Sequence, residues 1–385
     1  MKSGLSRRDK HLQMLLRILP KRNDRRGFTL IELLVAILIS GIIVSGLLYL
    51  VVEVLGINQK DSSRSDTQRD MQLAMDYITR DLREAFYVYG TEVEGTSVES
   101  CLAVRPDAIT RGLAGQCTGL LAYLPDHLKN PGNGNIPVLA FWKPEPLPAS
   151  VTAHCTTNRA EIGKILANSA PNPIDRIPCV AQRMYTLVVY SLNTENDNKI
   201  WKGRARIKRY ALPHFSESFT GKTRKPGWVA PVAADDKRPL SWPFGKTSGG
   251  ILDLQGNPSS ANIPKAGSPE ENTSENIVLT DFVDSALNAS GQPVAPFAIA
   301  PVPSPTTNSG YCPNNFEVAN FGRFRPEFYA CVRRASVNEN PEVRVVIKGN
   351  AAGRGGIPYA TGEVPFQMEA QVMGRGVYSK QRSGS

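Results

Sequence analysis

From Phe28 to Val52 the chain carries one charged residue, Glu32, in about 25 otherwise uncharged and mostly apolar positions. Wound as a helix at ~1.5 Å per residue this run is ~37 Å long. A bilayer hydrocarbon core is ~30 Å thick, so the rest of the chain hangs from a segment able to cross a membrane. A secretory signal peptide has a shorter apolar core with its cut site after it. Here the candidate cut, after Gly27, precedes the run, so the run is retained. Glu32 needs an explanation, because an acid within a span costs about +2.5 to 3.5 kcal/mol on insertion scales. No Lys or Arg lies within helical reach on its C-terminal side. A cut after Gly27 gives Phe28 a free α-amino group four residues away, a counter-ion in the same chain or a neighbouring one. The alternative is a single-pass anchor whose Glu32 sits near the interface.

Gly27-Phe28-Thr29-Leu30-Ile31-Glu32, preceded by Arg25-Arg26, resembles the processing signal of type IV prepilins and type II secretion pseudopilins. The resemblance implies cleavage between Gly27 and Phe28 by prepilin peptidase, N-methylation of Phe28 by the same enzyme, and pairing of Glu32 with the N-terminal amine of an adjacent subunit. It further implies other pilin or pseudopilin subunits and an inner-membrane assembly platform as partners. The strong likeness covers Arg25 to Val52.

The net charge of +10 raises the question of nucleic acid, but +7 of it lies in residues 1–27, leaving +3 for the remainder. A basic leader fits the cytoplasmic side of a span, so the charge of the head gives only weak support to nucleic-acid binding. Leu12, Leu15, Leu16 and Leu19 give the leader a short apolar stripe suited to a membrane surface. Met14 is an alternative start. All six cysteines, Cys101, Cys117, Cys155, Cys179, Cys312 and Cys331, follow the span. An even number outside the membrane fits an oxidising compartment, here the periplasm. Neighbour pairing would close three local loops, one of 15 connectivities, with free buried thiols as the other reading. No CxxC or Cys/His ladder marks a metal site, and His154-Cys155 is a lone pair.

In order, the chain reads as leader (1–27), spanning half-helix (28–58), amphipathic half-helix (59–90) and β-rich head (91–385). Ser40, Gly41, Ser45 and Gly46 form a small-residue face suited to close helix packing in lipid. Met71, Met75, Ile78, Leu82 and Phe86, filled in by Ala74 and Ala85, recur at helical spacing and predict a face packed on a sheet. Asp76, Arg80, Asp81, Arg83 and Glu84 are placed off that stripe. Residues 90–180 read as irregular, with candidate strands at Leu120–Leu124 and Ile136–Trp142. Met184–Leu192 and Ile200–Tyr210, separated by the polar turn Asn193–Asn198, predict a hairpin. The second strand carries a basic stripe, Arg204, Arg206 and Lys208, which reads as a solvated face, or else as a surface for an acidic glycan or partner. Residues 213–271 and 285–315 read as mobile surface insertions. Further strands are expected at Ile277–Val283, Glu342–Asn350 and Phe366–Met373.

Three stretches extend the resemblance. Met75–Ala85 is similar to the LxxDLRxA helix of PilW-type minor pilins and J-type minor pseudopilins, and Trp201–Tyr210 to a WxGxxRxxRY strand of that group. Glu342–Asn350 resembles the terminal strand of cyanobacterial hormogonium polysaccharide secretion pseudopilins. The fold class expected is α+β, a long N-terminal helix packed on an antiparallel sheet. The function expected is a minor structural subunit of a pilus-like or secretion filament, with polysaccharide secretion and surface motility as its setting. A membrane-anchored binding module for an exported polysaccharide or DNA is the alternative. Gly221-Lys222-Thr223 and Gly245-Lys246-Thr247 lack the upstream glycine of a phosphate loop, having Ser216 and Leu240 there. With no GxSxG or HExxH either, no enzyme, cofactor or metal is expected. His127, His154 and His214 are placed in loops.

Overall fold

A computed structural model describes residues 27–90, 128, 135–157, 178–179, 181–194, 200–215, 225, 228, 231, 276–285, 311–313, 315–319, 326–333, 342–357 and 365–374. The chain divides after Asn58 into two compact units. The first holds the apolar half of helix α1 (Leu30–Glu84), whose large side chains from Phe28 to Ile57 are exposed. No residue of its most apolar stretch is buried. In water such a surface would be untenable, whereas in hydrocarbon it costs nothing, so this half of α1 suits a membrane.

The second unit is α+β. Its nine described strands are β1 (Tyr87–Val88), β2 (Asn135–Pro146), β3 (Arg183–Asn193), β4 (Ala205–Leu212), β5 (Asn276–Val283), β6 (Phe316–Val318), β7 (Phe328–Arg333), β8 (Glu342–Asn350) and β9 (Pro365–Met373). All pairs are antiparallel, in the order β1-β2-β3-β4-β5-β8-β7-β6, with β9 on β8. A short helix, α2 (Ala149–Thr157), follows β2. The helix ends at Glu84 rather than near 90, and Phe86, beyond it, is half-buried with its ring 4.9 Å from that of Tyr185; the rest of the stripe packs as its spacing predicts. Met71, Met75, Ile78, Leu82 and Ala85 pack with Phe141, Val188, Tyr190, Leu192, Ile207, Phe328, Val343, Val345 and Ile347 in one core. Each such large side chain contributes about 1.5–3 kcal/mol on burial.

The face of the central strands turned away from α1 is buried as well, at Ala140, Trp142, Leu187, Val189 and Tyr210. This corrects the reading of the basic stripe. Arg204 and Arg206 are buried, Arg206 completely, and only Lys208 keeps part of its surface. Neither a solvated face nor a glycan surface exists at Arg204 and Arg206. The Arg206 guanidinium instead donates to Asn193 Oδ1 at 2.7 Å, lies over the Trp201 ring and stands 3.7 Å from Asp281.

Other boundaries differ in instructive ways. β4 begins at Ala205, and Ile200 is exposed. The candidate strand Ile136–Trp142 lies within the longer β2, and the stretch otherwise expected to be irregular also holds the helix α2. β6 and β7 are short and were not anticipated. His154 lies on α2 rather than in a loop. His214 is buried, its ring stacked on Trp228 and Phe215 at 3.5 and 3.9 Å. Cys155 is bonded to Cys179 and Cys312 to Cys331. Cys101, Cys117, His127, the Leu120–Leu124 segment, the leader, both Gly-Lys-Thr fragments and most of the two insertions lie outside the described residues.

Candidate assembly site and the buried charge cluster of the head

Gly27, Phe28 and Thr29 precede the first helical residue and are exposed. The Gly27–Phe28 bond therefore lies in exposed, non-helical chain. The helix then starts with a reciprocal cap. Thr29 stands at the N-cap, its carbonyl accepting the Leu33 N–H at 3.2 Å. Its Oγ1 accepts the Glu32 N–H at 3.3 Å. Glu32 Oε2 in return accepts the Thr29 N–H at 3.0 Å and the Thr29 hydroxyl at 3.0 Å. This is the T-x-x-E capping box, which satisfies orphan amides of a first turn. In hydrocarbon those amides have no water to turn to. A carboxylate at the positive end of the helix also sits where the macrodipole favours it. The local role of Glu32 was missed because its charge was weighed against cations alone. The signal was present in the spacing of Thr29 and Glu32.

The head contains a second acid in an apolar setting. Asp81, placed off the stripe on sequence grounds, is buried. Its Oδ1 accepts Lys143 Nζ of β2 at 2.7 Å. Its Oδ2 accepts Arg209 Nε of β4 at 2.8 Å and the Tyr190 hydroxyl of β3 at 2.7 Å. Glu145 joins the group, 2.8 Å from Lys143 and 3.7 Å from Arg209, and its Oε2 accepts the Thr186 hydroxyl at 2.6 Å. Glu84, half exposed, stands 3.8 Å from Lys143, so three carboxylates face two cations at the helix–sheet interface. Burial pushes the Asp81 carboxyl up, but the Arg209 charge and the Lys143 hydrogen bond outweigh it and hold it below its ordinary value. Burial likewise works against charge on Lys143, yet Asp81 and Glu145 hold its ammonium above the ordinary range. Tyr190 is pushed well up by burial and by the Asp81 charge.

The structure also joins two of the quoted motifs to a third strand. Asp281 of β5 accepts the Lys202 and Gly203 N–H groups at 3.1 and 2.8 Å. A Cβ on Gly203 would lie 2.3 Å from the Phe282 nitrogen, so no other residue fits. Phe282 itself holds φ +65°, an uncommon conformation for a bulky residue, with Arg354 over its ring at 4.5 Å. Asp81 and Arg209 come from the helix and strand stretches quoted separately above, and the fold makes them partners. Among the described residues no group of three His, Cys, Asp or Glu converges as a metal site.

Residues 22–48 match the prokaryotic N-terminal methylation motif. The match supports membership of the type IV pilin and pseudopilin group and, with it, processing by prepilin peptidase and assembly with other pilins. The prepilin-type motif and the apolar helix together describe a single-pass, membrane-anchored protein. Pilin-motif proteins are structural subunits rather than enzymes. No curated protein and no solved structure matches the chain.

Proposed function

We propose that the chain is a minor pilin or pseudopilin, cut between Gly27 and Phe28 and methylated at Phe28. On this reading it is held in the inner membrane by residues 28–58 and carries residues 59–385 as a periplasmic head. From there it passes into a pilus-like or secretion filament. The observation that carries this reading is the capping box at Thr29–Glu32. It begins one residue after the new N-terminus, at the head of an exposed apolar helix. In the membrane-resident subunit Glu32 closes its own helix. In the filament the same carboxylate pairs with the Phe28 ammonium of a neighbour. Two disulfides in the head fit an oxidising periplasm. The likeness of Glu342–Asn350 to a polysaccharide secretion strand makes polysaccharide export, with its surface motility, the setting we favour. Burial of Arg204 and Arg206 takes away the main support for a glycan-binding module.

The test is the intact mass and N-terminus of the protein from membranes with and without active prepilin peptidase. A chain beginning at methylated Phe28, and lost without the peptidase, is expected; an uncut chain overturns the reading. Glu32→Ala should leave membrane insertion intact and reduce filament incorporation. Glu32→Gln keeps an acceptor for the cap but removes the charge. If Gln restores incorporation, capping rather than the ion pair is the role that matters.

A further inference from the structure

The second unit begins with twelve consecutive polar residues of α1, Gln59 to Asp70. Of these only Ser63 and Thr67 are buried, and the Thr67 hydroxyl donates to the Ser63 carbonyl of its own helix at 2.8 Å. The apolar stripe that packs on the sheet starts after them, at Met71. The attachment of α1 to the head therefore changes in kind at Asp70.

One turn of chain, residues 351–357 between β8 and β9, lies against the polar stretch. It is closed on itself. Gly353 donates to the Ile357 carbonyl at 2.9 Å and Ile357 to the Arg354 carbonyl at 3.0 Å, while Ala351, Ala352 and Ile357 form a small buried cluster. At its tip the Gly355 carbonyl accepts the Ser63 hydroxyl at 2.7 Å. Arg354 pairs with Asp70, whose side chain stays 45% exposed. Gln59 lies across the last glycine, where a Cβ on Gly356 would come 3.0 Å from its Cγ. Among the described residues, that hydrogen bond and that ion pair are the polar bonds joining residues 59–70 to the rest of the head.

Both bonds exchange readily for water. A partly exposed ion pair shifts an equilibrium only about two- to fivefold, and a neutral hydrogen bond by about tenfold or less. Release bares no apolar side chain of the stretch itself. Arg354 also keeps a partner afterwards, since its guanidinium lies 4.5 Å over the Phe282 ring. Beyond Asp70 the situation reverses: separation there would expose Met71, Met75 and Ile78 and break the three bonds to Asp81.

We propose that residues 351–357 are a releasable clasp on α1. Closed, the clasp holds residues 59–70 against the head. Open, it frees them as a polar stalk while Met71 to Ala85 stay packed on the sheet. That assembly uses the open form rests on the subunit reading above: a head on a released stalk can turn to meet its neighbours in a filament.

Thiol labelling of full-length protein in detergent micelles tests the clasp without reference to processing or assembly. Thr67→Cys places a buried thiol in the polar stretch, and Ala74→Cys and Ala85→Cys place reference thiols in the packed one. With the parent protein as blank, Thr67→Cys should react with a maleimide at least about tenfold faster than either reference, because local opening costs less than global unfolding. Arg354→Ala should quicken labelling of Thr67→Cys by about two- to fivefold and leave the references as they were. Equal rates in the two stretches would mean that residues 59–70 part from the head only when it unfolds, and would overturn the proposal. So would a Thr67→Cys rate that ignores Arg354→Ala. The assembly arm ties the clasp shut. A Cβ on Gly356 would stand 3.2 Å from the Gln59 Cβ, close to the ~3.5–4.5 Å of a disulfide, so Gln59→Cys with Gly356→Cys should bridge on oxidation. The bridged variant should be processed at Phe28 like the parent yet enter filaments less, while each single substitution, unable to bridge, should enter normally. Undiminished entry of the bridged variant would overturn the use of the open form in assembly. A parent chain left uncut would instead strike the subunit reading, with the labelling result standing by itself.

Discussion

Helix α1 places one carboxylate in each of two apolar stretches, Glu32 in the exposed half and Asp81 in the half packed on the sheet, and the two are satisfied by opposite means. Glu32 is answered from three residues away, by Thr29 of its own turn. Asp81 is answered by Lys143, Tyr190 and Arg209, 62, 109 and 128 residues away. The first arrangement exists as soon as one helical turn exists. The second exists only when β2, β3 and β4 are all in place. A locally capped acid leaves its subunit free to be moved from one apolar surrounding to another, whereas the acid tied to three strands locks one packing of helix on sheet.

The largest expected effect comes from breaking the distant arrangement. Asp81→Ala leaves Lys143 and Arg209 buried without the acceptor that hydrogen-bonds both. Breaking a buried pair in this way costs about 3–5 kcal/mol. The denaturation midpoint of the head should fall accordingly in full-length protein, while amide exchange in the first turn of α1 stays as it was. A small change in the midpoint would show that Glu145 and Glu84 can hold both cations, and that Asp81 is not the centre of the cluster.

The same cluster sets a pH profile. Asp81 is depressed in the folded state, so its contribution is complete above the ordinary aspartate value of 3.8. It is lost as pH falls through the lower folded value. Lys143 and Tyr190 are raised, so stability is lost as pH rises beyond the ordinary values of 10.5 and 10.0. Head stability should therefore be flat between about pH 4 and 10 with respect to this cluster, and fall on both sides. In Asp81→Asn the acid limb should shrink, because the unfolded chain no longer binds that proton differently. An unchanged acid limb would assign it to other carboxylates.

Glycines divide the two halves in the same manner. A Cβ at Gly41 or Gly46 meets nothing within 4 Å. Alanine there should be tolerated by the subunit, with a gain of up to ~1 kcal/mol in helix propensity. Any loss of filament incorporation in Gly46→Ala then reports packing against a neighbour. At Gly203 the added Cβ meets the Phe282 backbone, and Gly203→Ala should cost about 1–3 kcal/mol as an overpacked site. Equal stability in both variants would mean that β4 and β5 part more easily than the hydrogen bonds from Lys202 and Gly203 to Asp281 suggest.

The same distinction explains what could be read from the chain. The spanning run, the α1 stripe and the strands β3, β5, β8 and β9 are all patterns within one element, and their periods are visible locally; the Thr29–Glu32 box is equally local, and was overlooked. Asp81 failed the local test because it borders Leu82 and follows Ile78 by three residues. On a lone helix it looks like a flank, and only the approach of Lys143 and Arg209 makes it interior. Arg206 failed for the mirror reason. An alternating strand signals one polar face only if that face meets water, and the central strands here are covered on both. The twelve residues of β2, interrupted by Pro137, Pro144 and Pro146, gave a signal for their middle alone.

The smallest expected effect tests the local arrangement. Thr29→Ala removes the hydroxyl that accepts the Glu32 amide and donates to its carboxylate. Loss of such a cap costs about 1 kcal/mol, all of it at the first turn. Amide exchange of Glu32 and Leu33 should quicken in detergent-held full-length protein, and the head midpoint should not move. Thr29→Ser, which keeps the hydroxyl, should exchange like the parent. Filament incorporation of Thr29→Ala then separates the observed cap from the ion pair proposed for Glu32. If the carboxylate must be held by its own turn until a neighbour's ammonium arrives, the uncapped subunit should assemble poorly although its charge is intact. If assembly is unimpaired, the ion pair forms without help from the cap, and the Thr29–Glu32 box serves the resting subunit alone.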